Sequence, residues 1–298
     1  MEIERDTGMH TRGGVITERN NDFCTVRLRL PAGVITPEQL VGVARITEKY
    51  GAGTAHLTAR QTMEIPHVKI ADLEDLGREL EANNTPVGSE REEIVNITAC
   101  PGTDRCRLAN IESITLAQEI DKRFFGKNMP VRVRIAISAC PNSCLSERLC
   151  EIGITGVQQP IRDPGLCTGC GTCVNFCKEG ALVVKGGEVI LNREKCIDCG
   201  NCIHICPFSI IRGEPPAYLV TVGGKRGRHP MTGRPLITVT SRDDLHLVID
   251  KVITWIYRKA WDGRLLADQL DEIGFDTLKK DVFKSISPEN TVTGPELS

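Results

Sequence analysis

The residues with the plainest chemistry in this chain are its cysteines. Of the fourteen, Cys167, Cys170, Cys173 and Cys177 read C-x2-C-x2-C-x3-C, and Cys196, Cys199, Cys202 and Cys206 repeat that spacing, ending in Cys206-Pro207. Three thiolates on one tight loop can cap three corners of an iron–sulfur cubane, while the fourth starts the next segment and reaches a neighbouring cluster. The spacing therefore predicts one 4Fe-4S cluster on Cys167, Cys170, Cys173 and Cys206, and a second on Cys196, Cys199, Cys202 and Cys177. A pair of structural zinc sites is the competing reading, but zinc ligands usually come as two separated hooks rather than as a quartet on one loop. Disulfides would suit a small secreted chain, which a 298-residue sequence of this composition does not resemble.

Four more cysteines stand apart from those quartets. ACPGTDRC carries Cys100 and Cys106 as a C-x5-C hook, and AISACPNSC carries Cys140 and Cys144 as a C-x3-C hook. Spacing alone leaves zinc and an iron–sulfur cluster equally open for this third set. Cys24 and Cys150 match no pattern and are expected to be packing residues.

Two strand-like stretches supply cations. In TVRLRLP, Arg27 and Arg29 alternate with Val26, Leu28 and Leu30, and in PVRVRIA, Arg132 and Arg134 alternate with Val131, Val133 and Ile135. A period of two puts each arginine pair on one face. One such pair is ordinarily a solvated sheet face, whereas two suggest the wall of an anion site.

The elements that must hold these groups can be traced along the chain. Thr36-Pro37-Glu38-Gln39 has the form of a capping box with proline at the first helical position, opening a helix with Leu40, Val43 and Ile46 on one face and a stop at Gly51. A second helix carries Leu73, Leu76 and Leu80. With strands near 24–30, 54–58, 61–65 and 94–98, the order is that of a ferredoxin-like βαββαβ sandwich, an α+β fold. ALVV and EVIL around Gly186-Gly187 read as a hairpin between the two cysteine quartets. Downstream, PVRVRIAIS, YLVTV and LITVT read as strands, and SRDDLHLVIDKVITWIYRK as a long amphipathic helix.

Charge bounds the partners. Lys plus Arg (37) nearly balance Asp plus Glu (39), so no global basic field argues for nucleic acid, and any basic site must be local. MEIERDTGMH is not followed by an apolar run, and LHLVIDKVITWIY is interrupted by Asp250 and Lys251 and too short to span a bilayer. A soluble, cytoplasmic protein is the expectation.

The C-x5-C and C-x3-C hooks, with Pro-Asn inside the second, are similar to the siroheme and 4Fe-4S signature of sulfite and nitrite reductases. VRLRLPAGVITPEQL, AHLTARQTMEI and YLVTVGGKRGRHP resemble the same family, so the likeness covers nearly the whole chain. It is greatest toward small single-repeat members with an inserted ferredoxin domain, such as the catalytic subunit of anaerobic sulfite reductases and minimal dissimilatory-type proteins. The resemblance implies a ferredoxin-like half domain over 1–92, a siroheme-binding α/β domain over 93–163 and 213–298, and an inserted two-cluster ferredoxin domain over 164–212. It implies a third 4Fe-4S cluster on Cys100, Cys106, Cys140 and Cys144, with Cys144 bridging to siroheme iron. It places Arg27, Arg60, Arg132 and Arg134 toward substrate or cofactor. It further assigns His56, Arg60, Gln61, Asn142, Gly223, Gly224, Lys225 and Arg228 to cofactor binding.

The implied function is reduction of a small oxyanion, most simply sulfite to sulfide, a six-electron reaction fed by an external low-potential donor through one-electron carriers. Nitrite reduction, a siroheme ligand sensor and a simple electron carrier are the alternatives. Larger relatives hold two copies of the sandwich-plus-cofactor unit and this chain holds one, so a homodimer or larger even assembly is implied. Three departures stand out: Arg132 and Arg134 replace lysines, His56 replaces an arginine, and Val95 stands where an arginine contacts the oxyanion. Arg91, on the same strand parity, lies four residues away and is poorly placed to substitute. Weak handling of sulfite, or a preference for nitrite, is the expectation from Val95.

Overall fold

The computed structural model describes residues 13–162 and 167–292. The N-terminal decapeptide and residues 164 to 166, at the start of the expected insert, lie outside them. No helix among the described residues is long and apolar enough to cross a membrane.

The chain divides into two compact units. The first contains the residues up to Ala99 together with Thr115–Ile135 and Ile256–Leu266. Strands β1 (Val15–Thr17), β2 (Phe23–Arg27), β3 (His56–Leu57) and β4 (Met63–Lys69) form an antiparallel sheet in the order β1-β2-β4-β3. Helices α1 (Pro37–Tyr50) and α2 (Leu73–Ala82) pack with it. The capping box forms as expected: the Thr36 hydroxyl accepts from the Gln39 N–H, the Gln39 side chain accepts from the Thr36 N–H, and α1 ends at Gly51. Val43 and Ile46 turn inward, but Leu40 in the first turn is exposed. From α2, Leu73, Leu76 and Leu80 are fully buried, each contributing about 1.5–3 kcal/mol.

The sheet differs from the expected βαββαβ order in its outer strand. That place beside β2 belongs to β1, whose Val15 pairs with Val26. Residues 94–97 are buried without alternation, a pattern suited to a segment covered on both sides rather than to the edge of a one-faced sheet. Only Thr98–Ala99 (β5) is strand there, while Ile94 makes an isolated parallel bridge to Val133. Helix α3 (Ile114–Phe124) follows.

The second unit comprises Cys100–Ile114, Ala136–Trp255 and the residues from Ala267. Its sheet runs β13-β12-β7-β6, with β6 at Ile135–Ser138, β7 at Ile152–Val157, β12 at Ala217–Val222 and β13 at Arg234–Val239. Helix α6 (Arg242–Lys259) buries Leu245, Val248, Ile249 and Val252, and α7 (Phe275–Phe283) buries Leu278 and Val282. PVRVRIAIS is thus strand only from Ile135; Arg132 and Arg134 flank the bridge residue Val133 in extended but irregular chain. Their alternation survives, with Val133 buried between more exposed neighbours.

Between β7 and β12 the chain leaves and returns through a two-stranded stem, β8 (Pro160–Arg162) paired with β11 (Ile211–Gly213). Beyond the stem lie two short helices, α4 (Thr172–Phe176) and α5 (Asn201–Ile205), each following a cysteine loop. They flank a hairpin of β9 (Leu182–Lys185) and β10 (Glu188–Leu191), turning at Gly186-Gly187 as the sequence predicts. Both glycines have left-handed φ, the conformation a tight hairpin turn requires.

Candidate metal centres and arginine cluster

The three predicted thiol sets can be located one by one. Cys167, Cys170, Cys173 and Cys206 line one pocket, whose other walls are Val184, Val189, Phe208, Ile210 and Ile211. Cys206 thus joins the first loop from well beyond the hairpin, as the interleaved spacing predicts. Burial raises the Cys206 thiol, but the backbone of Ile211, Phe208 and Ile210 hydrogen-bonds it and leaves it below its ordinary value. Such N–H donors favour the thiolate, the form in which a cysteine can bind metal. Cys177, Cys196, Cys199 and Cys202 form the other set. Burial pushes Cys202 up to about 12, with the charges of Cys199, Cys196 and Cys177 adding to it. Burial likewise pushes Cys196 up to about 11, although the Asp198 backbone lowers it in part. Asp198 is itself held by a bidentate Arg193 guanidinium at 2.6 and 3.1 Å.

The two hooks meet in the second unit. Cys100 lies behind Gly102, whose positive φ turns the loop and whose missing Cβ leaves room for Ser113. The Ser113 hydroxyl donates to the Cys100 carbonyl at 2.6 Å, and the Ala139 N–H donates to the Cys100 sulfur at 3.1 Å. On the second hook, Asn142 Nδ2 donates to the Cys140 sulfur at 3.4 Å. Burial raises the Cys140 thiol, Asn142 opposes it, and Cys100 and Cys144 raise it further by like charge. The turn beyond is pinned by Glu147, fully buried, which accepts from Ser143 and Thr155 at 2.7 Å each. Cys144 alone of the second hook is exposed, which suits a thiolate that must also face a separate cofactor. Among the described residues, no three Cys, His, Asp or Glu side chains converge on a single-ion site. A cubane does not require that, since its irons stand at separate corners.

The basic loop is organised differently from the expectation. Gly223 and Gly224 have no space for a Cβ, because Leu270 and the Arg148 and Cys150 backbone press against them; their role visible here is close packing. Lys225 pairs with Asp268, and Arg228 is exposed. Arg226, which the sequence did not single out, reaches the second hook: its Nη2 donates to the Leu145 carbonyl at 2.7 Å and approaches the Cys150 sulfur at 3.6 Å. Cys150 and Cys24 are both buried, as packing residues should be, and burial pushes Cys24 up to about 11.

In the first unit the arginines converge on a residue that sequence reasoning missed. Glu90 accepts from Arg60 and forms ion pairs with Arg27 and with Arg132 Nη1, the latter at 3.2 Å. Arg27, nearly buried, also pairs with Glu64 through its Nε at 3.0 Å. Glu64 contacts His56 Nδ1 at 3.1 Å, although His56 is otherwise exposed. Burial alone would raise Glu64; Arg27 and His56 outweigh it and hold the carboxyl below its ordinary range. Arg29 departs from this group to pair with Asp121. Gln61, at a left-handed φ, clamps Ala99: its amide accepts from the Ala99 N–H at 2.8 Å and donates to the Ala99 carbonyl at 2.9 Å, fixing the residue that precedes Cys100. Asn96 donates to the Arg60 carbonyl at 2.8 Å. Val95 is fully buried, so its side chain belongs to the core. Glu90 lies in the acidic run SEREE, the one local signal that marks it.

Comparison with known proteins places the chain among the following relatives. Residues 16–83 match the nitrite/sulfite reductase ferredoxin-like half domain, and residues 90–288 the nitrite and sulphite reductase 4Fe-4S domain. An uncharacterized protein of Methanocaldococcus jannaschii is 33% identical over 273 residues, covering 92% of this chain and 95% of that protein. The coenzyme F420-dependent sulfite reductase of the same organism is 31% identical over 93% of this chain, which spans only 45% of that protein. One component of the anaerobic sulfite reductase of Salmonella typhimurium is 29% identical, over 78% of this chain and 73% of its own length. In fold, dissimilatory sulfite reductase I matches at a TM-score of 0.73 and 19% identity, over 93% of this chain and 72% of that one.

Proposed function

Since the chain belongs to the nitrite and sulfite reductase family, we propose that it is a siroheme-dependent oxidoreductase reducing sulfite to sulfide, with electrons entering through an inserted two-cluster ferredoxin module over 164–212. The observation that carries this reading is the meeting of the Cys100/Cys106 and Cys140/Cys144 hooks, with Cys144 exposed and Arg226 on the carbonyl of the next residue, Leu145. Those four thiols would hold the third cluster, and Cys144 would be shared with siroheme. When bound, siroheme supplies an iron for the substrate's central atom and a conduit for its electrons.

The chain's own residues then have separable tasks. Arg27, Arg60, Arg132 and Arg134 hold the oxyanion by charge-assisted hydrogen bonds, and Glu64 and Glu90 keep the first three oriented before it arrives. A guanidinium does not release its proton at neutral pH, so ordered water beside these arginines is the immediate acid. Asn142 and the Ala139 N–H donate to the Cys140 and Cys100 sulfurs, and would tune the potential of a cluster held there. Lys225, Arg226 and Arg228 would meet the cofactor's carboxylates. A simple electron carrier would leave both hooks without a purpose. Nitrite is the second substrate; the buried Val95 side chain does not decide between the two. A twofold pair of chains completes the arrangement.

Anaerobic purification followed by iron, sulfide and tetrapyrrole analysis tests this reading. About thirteen irons per chain, a siroheme visible spectrum, and turnover of sulfite with reduced viologen are expected. Stoichiometric zinc with no tetrapyrrole would overturn it.

A further inference from the structure

The insert carries two thiol sets, and the hydrogen bonds around them are not symmetric. Two routes lead from one set to the hooks. The first starts at Cys199, whose carbonyl accepts from Asn110 Nδ2 at 3.3 Å. Asn110 is buried, also donates to the Gly156 carbonyl at 3.2 Å, and through its own N–H donates to the Ala139 carbonyl at 2.8 Å. Ala139 in turn donates to the Cys100 sulfur at 3.1 Å. The approach is close enough that a Cβ on Gly200 would meet Asn110 Oδ1 at 2.5 Å, so glycine is needed next to Cys199. The Gln158 N–H, donating to the Asp198 carbonyl at 2.7 Å, holds the same loop.

The second route starts one residue after Cys177, the thiol that the first quartet lends to this same set. Lys178 Nζ donates to Asn142 Oδ1 at 3.4 Å, and Asn142 Nδ2 donates to the Cys140 sulfur at 3.4 Å. Lysine here replaces the proline often found after such a quartet, and the replacement supplies the donor. Cys177 and Cys199 therefore each connect to one hook. The other set differs: Cys170 is exposed and hydrogen-bonds within its own loop to Thr172 at 3.5 Å, and Phe208 beside that set is exposed as well.

We propose that Cys177, Cys196, Cys199 and Cys202 form the inner relay site, coupled to the Cys100/Cys106/Cys140/Cys144 cluster through Asn110 and through the Lys178–Asn142 pair, and that Cys167, Cys170, Cys173 and Cys206 form the outer, receiving site. Each transfer moves one electron and no proton. The inner cluster is oxidised by one electron as the hook cluster is reduced by one, and a low-potential one-electron reductant, here reduced methyl viologen, refills the outer cluster, which re-reduces the inner one. Asn110, Asn142 and Lys178 are positioning residues in this order. The inference rests on the three-cluster reading above.

Electron paramagnetic resonance of the dithionite-reduced holoprotein distinguishes the two sites, because magnetic broadening of the hook cluster's signal comes from its nearest reduced neighbour. Cys199→Ser is expected to remove that broadening, and Cys170→Ser to leave it. Asn110→Leu retains every cluster ligand and serves where Cys199→Ser fails to fold; re-oxidation of the inner cluster by the hook cluster should slow about tenfold, in line with other losses of supporting hydrogen bonds around metal ligands. Iron analysis of the unmodified protein separates the two failures. Fewer than three clusters would sink the functional reading itself. Three clusters, with broadening lost in Cys170→Ser and kept in Cys199→Ser, or an unchanged rate in Asn110→Leu, would overturn the order alone.

Discussion

Burial pushes Cys202 up to about 12 and Cys196 to about 11, whereas Arg27, Arg60 and Arg132 each stand against the carboxylate of Glu90. The thiol region and the guanidinium region thus meet like charge in opposite ways. Thiols gathered in one place stay protonated until a cation displaces their protons. Guanidiniums cannot give up theirs, and the chain supplies carboxylates instead. On the proposed reading the cysteine loops would be completed by metal, while the arginine cluster is electrostatically satisfied alone and would exchange a partner when an anion binds.

The largest expected effect follows from that difference. The insert's own buried cluster consists of Cys173, Leu182, Val189 and Ile211, far smaller than the first unit's core of Val26, Leu28, Ile65, Leu73, Leu76, Leu80 and others. On the proposed reading, a module with so little apolar core would be held by its metal, whose binding free energy is on the order of 10 kcal/mol in comparable small metal domains. Withdrawing iron with a chelator under oxidation should open residues 167–210 to protease. The first unit should keep its helical signal and its protection. Equal loss in both regions would show that the arginine cluster also depends on the cofactors.

These two regions also differed in how far the sequence revealed them. The gathering of the thiols was legible because spacing on a tight loop limits which cysteines can come together, and Cys206 does line one pocket with Cys167, Cys170 and Cys173. The capping box at Thr36 and the turn at Gly186-Gly187 are equally local. The partners of the arginines are not. Glu64 and Glu90 lie 37 and 63 positions from Arg27, and no periodicity links residues brought together by tertiary folding. For the same reason Arg226, which no motif marks, reaches the second hook, and β1 rather than 94–98 flanks β2.

The next effect in size concerns Val95, where charge was expected and packing is found. Ile94, Val95 and Ile97 are all fully buried. A guanidinium introduced there would lose its hydration without a partner, at a cost on the order of a few kcal/mol. Val95→Arg is expected to lower the melting temperature by about 2–4 °C for each kcal/mol lost and to bring no gain in sulfite affinity. Calorimetry and sulfite titration of the same preparation would check both. A stable variant with tighter sulfite binding would show that this position opens onto the anion and that the absence of arginine limits the natural protein.

The smallest effect is the most direct probe of the arginine cluster. Arg27, Arg60 and Arg132 carry three positive charges against the two negative charges of Glu64 and Glu90, leaving one in excess. Glu90→Gln keeps the shape and one acceptor oxygen but leaves two in excess, so an arriving anion no longer competes with a built-in carboxylate. One charge-assisted contact corresponds to about 1.5–3 kcal/mol, but Arg132 is nearly half exposed and solvent screens its share, so a gain of about tenfold in anion affinity is the realistic scale. Sulfite, as the more highly charged anion, should gain more than nitrite, shifting the preference between them. The comparison belongs at or above about pH 6, where Glu64 is fully ionised. Its folded-state value lies below the ordinary one, so the stability it contributes is present above the ordinary carboxylate range and is lost as pH falls through the lowered value. Isothermal titration of wild type and Glu90→Gln with each anion reads the effect. Weaker binding of both would mean that Glu90 is needed to hold the guanidiniums in place, and that its orienting role outweighs its competition with the substrate.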